Sequence, residues 1–587
     1  MPGNADFSAR YEGTIGRSVL VRALYGQHQQ SATLSGPGTE TPRFDDLTVS
    51  PKASSGGIGS FDDTTARRDV YKIDVSKFVT DHELKIGADV EDLRGTDSAF
   101  VSGGDAVRKL SGRDGTTYYG HFLYVDDRAP GFDRNDPSTW QPEQPFYSAP
   151  RTRNLSAYVQ DAWQIRKGLT LNLGLRFEHQ RLEDRDGNVP LAVDNWAPRV
   201  GVVWDVNRDG RSKLYAGFAR YFESIPQLIQ FTAFVGSTTV DSYNFNPAAG
   251  AFAPDPATRR LSSVFGGDST PVDPGIKGQY VDEWLVGLER ELRGRVVLGL
   301  KGSWRRLGRV IEDLDAGNGD YLFGNPGEGS ASTLAFFDGS SAPSPRAERT
   351  NSSFEVTARK RLSGGWQLLG SYVVSRLWGN YDGSYQRSTG QANPNWNSGF
   401  DWADLLVNAS GPLTSESVQQ GKLDGSYEFA GRAAGLNLGV SMHAYSGLPE
   451  NAYGASFNYS NWEYYLVPRG TVGRNPADVG IDLHASYPIR FGKTMLLRVE
   501  ADVFDPFDRQ ALLSYDQRYN LFSNGPCAGI PAGLCNGDGG LAVRPGTLIP
   551  IGSIGDPRQT APNTDYLTKG TRFTSPRSLR LGVRYTF

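Results

Sequence analysis

Residues 169–178 read LTLNLGLRFE, and the alternation in this stretch decides the fold. Leu169, Leu171, Leu173, Leu175 and Phe177 fall on one side of an extended chain, while Thr170, Asn172, Gly174, Arg176 and Glu178 fall on the other. Successive strand side chains point to opposite faces, so this is a strand with one apolar and one wet side. The same period of two recurs in HELKIGADVE (82–91), TMLLRVEADVF (494–504) and LRLGVRYTF (579–587). The polar faces carry charges of both signs, as in Arg498, Glu500 and Asp502. The outer face of a β-sandwich or the lumen of a barrel would suit such a face, and helical periodicity is nearly absent from the chain.

Composition points the same way. The 587 residues carry 61 basic and 65 acidic side chains, which leaves no electrostatic footprint for nucleic acid. Glycine supplies 70 residues, well above the usual ~7%, and 27 Tyr, 29 Phe and 11 Trp make the chain rich in aromatics. Only 38% of residues are hydrophobic, as expected where apolar side chains occupy one face of many strands. No run of about 18 apolar residues could form a membrane helix. The opening MPGNADFSARYEG has no signal-peptide pattern.

Strand length separates the two architectures. The alternating segments run roughly 10–14 residues, where soluble strands average about 5–6 and a tilted membrane-spanning strand needs about 9–11. Their connections alternate in length. Short turns fall at 13–16, 80–82, 166–168, 207–211, 292–295, 362–365, 430–435 and 490–493. Long Gly/Pro/Ser/Asn/Asp-rich stretches fall near 29–68, 93–152, 222–278, 312–350, 379–416, 446–477 and 505–576. Loops this long are uncommon in a compact soluble domain, but short turns on one side and long loops on the other characterise outer-membrane barrels. The expected fold is therefore all-β: a transmembrane antiparallel outer-membrane β-barrel. Keeping every short turn on the periplasmic side requires TTYYGHFLYVD (116–126) to be an extracellular excursion. The count is then about 17 spanning strands, the first near residues 5–12. An odd count beginning and ending in the same direction predicts an N-terminally incomplete barrel.

Several hairpins resemble the Oar-like TonB-dependent receptors: YVQDAWQIRKGLTLNLGLRFE, NWAPRVGVVWDVNRDGRSKLYAGFARYFE, RTNSSFEVTARKRLSGGWQLLGSYVVSR and GRNPADVGIDLHASYPIRFGKTMLLRVEADVFDPFDRQ. The last departs from the family's Asn-rich form at DPFDR. The resemblance covers roughly 69–587 in hairpins. It implies a 22-strand barrel with an N-terminal plug and a TonB box, neither of which is expected within this chain, so 1–587 reads as a single barrel domain lacking five strands. It also implies outer-membrane localisation and uptake of a bulky nutrient bound by loops and lumen, without covalent chemistry or a cofactor. TonB would act through the missing parts, and outer-membrane lipid or lipopolysaccharide and the barrel-assembly machinery would be partners. A non-transporting structural or adhesion barrel is the alternative, and a soluble glycan-active enzyme a third reading. Tyr585 and Phe587 resemble the terminal aromatic signal read by the assembly machinery.

Individual motifs add less. Cys527 and Cys535 lie in NGPCAGIPAGLCNGDG and are candidates for a disulfide in an oxidising compartment. DVNRDG (205–210) fits the opening of a calcium loop, but the twelfth position is Ala216 and the stretch reads as a tight turn. DLDAGNGD (313–320) reads as a solvated acidic loop. The six histidines show no metal-ligand spacing. Trp163, Trp204, Trp284, Trp304, Trp366 and Trp378 lie near strand ends and suit interfacial girdles. Trp396, Trp402, Trp462, Tyr464 and Tyr465 sit in Asn-containing loops and are candidate ligand contacts through ring stacking.

Overall fold

The computed structural model describes residues 3–33, 36–49, 53–111, 117–126, 129–133, 136–141, 145–234, 238–244, 259–265, 272–317, 320–332, 345–385, 398–400, 403–455, 462–492, 495–519 and 564–587. Its main element is a 19-stranded sheet. Two members are short, Phe146–Ser148 and Gly411–Pro412. The other 17 form the wall: β1 (Gly3–Ile15), β2 (Val19–Thr33), β3 (Ser60–Val79), β4 (His82–Val101), β5 (Arg151–Arg166), β6 (Leu169–Glu183), β7 (Leu191–Trp204), β8 (Ser212–Phe222), β9 (Tyr280–Leu292), β10 (Val296–Arg309), β11 (Arg349–Ser363), β12 (Trp366–Gly379), β13 (Gln419–Glu428), β14 (Asn437–Tyr445), β15 (Asp478–Phe491), β16 (Met495–Phe504) and β17 (Ser578–Thr586). Each pairs antiparallel with the next in chain order. Among the described residues, β1 and β17 do not pair with each other, so the wall is open there.

The short turns all close hairpins of this wall. In 205–211, Asp205 Oδ2 accepts from the Gly210 amide at 2.8 Å and Asp209 Oδ1 from the Arg211 amide at 2.9 Å. Turn chemistry, rather than a calcium loop, explains DVNRDG. The segment Thr117–Val125 lies outside the wall, in a separate six-stranded sheet with Arg43–Asp46, Ala53–Gly56, Ala106–Ser111, Thr238–Asn244 and Arg259–Phe265. It is the excursion that strand parity requires.

Two expectations need correction. β3 and β4 each run 20 residues, beyond the expected 10–14, so the loops near 29–68 and 93–152 are partly strand. DLDAGNGD is not a solvated loop throughout: Glu312–Gly317 pairs with Asp320–Gly324, and Asp313 is buried.

Register assigns every wall residue to a face. The apolar rows align across strands: Tyr71, Ile73 and Val75 oppose Val90, Ala88 and Ile86, which oppose Leu155, Ala157 and Val159. These rows remain exposed among the protein's own atoms, as a lipid-facing belt must. Aromatic rings mark both rims. Trp163, Trp204 and Trp366 lie on this face near the short turns. At the other end Phe7, Tyr25 and Tyr71 adjoin, as do Phe177 and Trp196, and Phe218, Trp284 and Trp304. Trp196 and Trp204, eight positions apart on β7, are separated by roughly 27 Å at ~3.4 Å per residue, close to the ~25 Å apolar band of such barrels once strand tilt is allowed for.

Above the upper rim the two faces exchange polarity. On β4 the outward row Ile86, Ala88, Val90 continues as Asp92 and Arg94, while the inward row Lys85, Gly87, Asp89, Glu91 continues as Leu93, Gly95, Asp97, Ala99 and Val101. On β6 the outward row reaches Phe177 and continues as His179, Arg181 and Glu183, and the inward row ends at Leu182. Water replaces lipid outside at this level, and folded loops replace lumen water inside.

Candidate functional site at the mouth of the barrel

The inner wall of the belt is lined by ion pairs. Arg176 donates to Asp89 at 2.8 Å and to Glu178 at 2.5 Å, and Lys85 lies 3.3 Å from Asp74. The Tyr158 ring lies among them, with Lys72, Lys85 and Arg176 within 6 Å of its centroid. Its strand neighbour is Gly87, where a Cβ would stand 2.4 Å from the ring. Tyr215 lies on Gly287 in the same way. Strand glycines thus let luminal rings lie flat on the wall, which accounts for part of the high glycine content. The result is a polar hollow bounded by Lys72, Lys85, Tyr158, Gln160, Arg176 and Arg199.

The loops at the upper end fold into a packed layer. A helix, α1 (Gln227–Ala233), places Ile229 against Leu182, Leu191 and Val193, the inward apolar residues of β6 and β7. Buried Gln230 fixes it: the side-chain amide donates to the carbonyls of Arg151 at 3.0 Å and Glu183 at 2.9 Å, and accepts from Thr152 Oγ1 at 2.5 Å. Gln180 holds the preceding turn, accepting from the Ile225 amide at 3.0 Å and donating to the Ile225 carbonyl at 3.1 Å.

A second part of the layer joins residues 380–385 and 403–418 to 446–455 and 462–477. Arg469, 2% exposed, pairs with buried Asp382 and lies 5.1 Å above the Tyr465 ring. Asp382 also accepts from Thr414 Oγ1 at 2.9 Å. A Cβ on Gly411 would stand 2.3 Å from the Arg469 carbonyl, so only glycine allows that approach. Tyr381 donates to Glu312 Oε1 at 2.7 Å, and burial first, then the Glu312 charge, pushes its phenol well above the ordinary value. Burial alone pushes the Glu450 carboxyl up to about 7.

Of the candidate ligand contacts, Tyr465 is placed differently from expectation. It is buried against Ala409 and Tyr453, because the loop packs its own ring inward beneath Arg469. The backbone of Trp462–Tyr465 forms a strand paired with Tyr453–Ala455. The side chains of Trp462 and Tyr464 lie outside the described residues, as do Trp396, Trp402, Cys527 and Cys535. Tyr585 faces outward in line with Leu497 on β16, and its ring stacks on Phe587 at 5.9 Å. Each of the six histidines lies beside an aspartate: His28–Asp6, His82–Asp161, His121–Asp105, His179–Asp194, His443–Asp478 and His484–Asp502. Among the described residues, no three potential ligands gather for a metal ion. Sequence reading missed Gln230, Asp382 and Arg469. A signal for Gln230 lay in the amphipathic QLIQFTA, but the Asp382–Arg469 pair has no local signature.

A membrane-facing apolar belt, two aromatic rims, a charged inner wall and a folded loop layer define an outer-membrane β-barrel. Comparison with known proteins narrows the class. Residues 3–256 match the family described as TonB dependent receptor-like, beta-barrel, and residues 182–414 match an outer membrane beta barrel domain. The TonB-dependent transporter Oar of Myxococcus xanthus is 31% identical over 540 residues, 86% of this chain and 49% of that protein. The chain thus spans about half the length of this curated relative. The outer membrane transporter YddB from Escherichia coli superposes with a TM-score of 0.53 at 13% identity, covering 87% of this chain and 60% of that one. FpvAI, in its complex with pyocin S2, gives 0.52 at 14% identity, covering 99% and 57%. Those two likenesses show the fold. The chain is thus similar over most of its length to a TonB-dependent transporter, and residues 3–256 match the TonB-dependent receptor-like β-barrel family itself.

Proposed function

We propose that this chain is the barrel wall and loop layer of an uptake receptor integral to the cell outer membrane of a Gram-negative bacterium. The observation that carries this reading is the packed loop layer above a charged lumen. It offers a preformed surface for a bulky nutrient, and the inner wall beneath offers a polar route. The work done by the chain is binding and passage rather than covalent chemistry, and no cofactor enters it. The relative Oar is named a TonB-dependent transporter and YddB an outer membrane transporter, which supports coupling to TonB through segments outside the 17 strands.

The unpaired edges of β1 and β17 support a larger closed barrel, because unpaired backbone groups in lipid are costly. Five further strands would close it to the family's 22. Tyr585 and Phe587 would be read by the barrel-assembly machinery, and Cys527 and Cys535 would join as a disulfide in an extracellular loop. Ligand contact falls to Trp396, Trp402, Trp462 and Tyr464. The test is growth of a deletion strain on panels of scarce iron chelates, cobalamins, oligosaccharides and peptides, with complementation by the full gene. Loss of growth on one class, restored by the gene, supports uptake. Unchanged growth and ligand accumulation across all panels, with the protein present in the outer membrane, refutes it.

A further inference from the structure

The outward face of β3–β6 just above the aromatic rim carries five arginines on three carboxylates. Register places Arg67, Asp69, Asp92, Arg94, Arg151, Arg153, Arg181 and Glu183 on the lipid-facing side, in line with Tyr71, Val90, Leu155 and Phe177. The acids lie underneath and the bases outside. Asp69 is 5% exposed against 48% for Arg67, Asp92 14% against 56% for Arg94, and Glu183 8% against 45% for Arg153.

The carboxylates are already engaged. Asp92 accepts two bonds from Arg151, at 2.7 and 2.6 Å, and two from Arg94, at 3.2 and 2.6 Å. Asp69 accepts from Arg67 at 2.7 Å and from Tyr25 and Gln27 at 3.1 Å each. Glu183 lies 3.4 Å from Arg153 and 3.1 Å from Arg181. A guanidinium carries five N–H donors in a planar fork, so each arginine keeps donors beyond those its carboxylate uses. The surplus positive charge faces outward at the height where a lipid leaflet presents its head groups, with apolar rows directly below for acyl chains.

We propose that this surface binds the phosphate groups of a phosphorylated glycolipid in the outer leaflet. Bidentate arginine–phosphate pairing supplies the recognition, and the buried carboxylates hold the guanidinium forks in place. The proposal rests on the outer-membrane reading.

The test uses the full chain extracted from outer membranes in detergent, with bisphosphorylated lipid A, its enzymatically dephosphorylated form and inorganic phosphate as probes. The variant is Arg94→Gln with Arg181→Gln, which leaves Asp92 paired with Arg151 and Glu183 with Arg153, so the fold is spared. Expected is at least tenfold weaker binding of bisphosphorylated lipid A by the variant, weak binding of the dephosphorylated form to both proteins, and no competition from inorganic phosphate at the lipid's own concentration range. Equal affinity of variant and parent, or equal binding of phosphorylated and dephosphorylated lipid by the parent, overturns the proposal. Heat-modifiable migration of both proteins and their recovery in the outer-membrane fraction test the membrane reading separately. If both hold while lipid selectivity is absent, only the glycolipid site falls.

Discussion

The lower and upper halves of β4 and β6 are built from the same alternating pattern with opposite meaning. Below the aromatic rim, Ile86, Val90, Leu173 and Leu175 face outward, and Lys85, Asp89 and Arg176 face inward. Above it, Asp92, Arg94, Arg181 and Glu183 face outward, and Leu182, Ala99 and Val101 turn inward toward packed loops. The backbone is continuous through the change. What differs is the solvent on each side, so side-chain polarity along a strand reports its surroundings rather than strand formation itself.

Substitutions sharpen this contrast. The largest effect is expected inside the loop layer. Arg469→Met leaves Asp382 buried without its partner and should destabilise the layer by about 3–5 kcal/mol, read as faster hydrogen exchange and protease cleavage in 380–418 and 446–477. The wall should keep its heat-modifiable migration, and simultaneous loss of both would show that layer and wall are one cooperative unit. Next is the belt: Leu173→Arg puts a charge on the lipid face and should cost about 2–4 kcal/mol in folding into vesicles. His179→Arg, on the same outward row of β6 but above the rim, should cost far less. Equal costs would place the rim elsewhere.

A pH effect of about 3 kcal/mol is expected from Glu450, at ~1.4 kcal/mol per pKa unit. Its carboxyl is raised from 4.5 to about 7 in the folded layer, so the fold favours the protonated form. No penalty exists below the unfolded value; it grows from about pH 4.5 and is complete above pH 7. With the intrinsic base-catalysed rate divided out, protection of the layer should therefore be lower at pH 8 than at pH 5, and Glu450→Gln should flatten that profile. The smallest effect is expected from Gln230→Ala, which leaves buried carbonyls at Arg151 and Glu183 without a donor, a loss of about 1–3 kcal/mol. Enhanced exchange confined to α1 and its contacts would confirm that anchoring.

The wall was legible because its determinants are local. Alternation gave the strands, the short breaks in that alternation gave the turns, and the parity of short and long connections assigned Thr117–Val125 to an excursion. The full extent of β3 and β4 is not legible in the apolar alternation, because their outward row turns charged at Arg67, Asp69, Asp92 and Arg94. The row of Asp92 and Arg94 in fact continues with its phase reversed. The loop layer was not legible for a different reason. Asp382 meets Arg469, and Gln230 meets Arg151, only after the wall has brought distant loops together. The burial of Tyr465 has no local signature either, since a ring that stacks on a ligand and one that packs under an arginine look alike in sequence.

The exchange of polarity at the rim also fixes how deep each strand sits. An ordinary amphipathic strand resists a one-residue slip, since that would turn its apolar row inward. Sliding it by two residues along its axis keeps every face correct. On β4 and β6 such a slide lowers Asp92 or His179 into the acyl region, or raises Val90 or Phe177 out of it, so the phase reversal acts as a depth mark in the sequence. Two neighbouring strands carrying the same mark hold the loop layer and the arginine surface at a set height above the membrane.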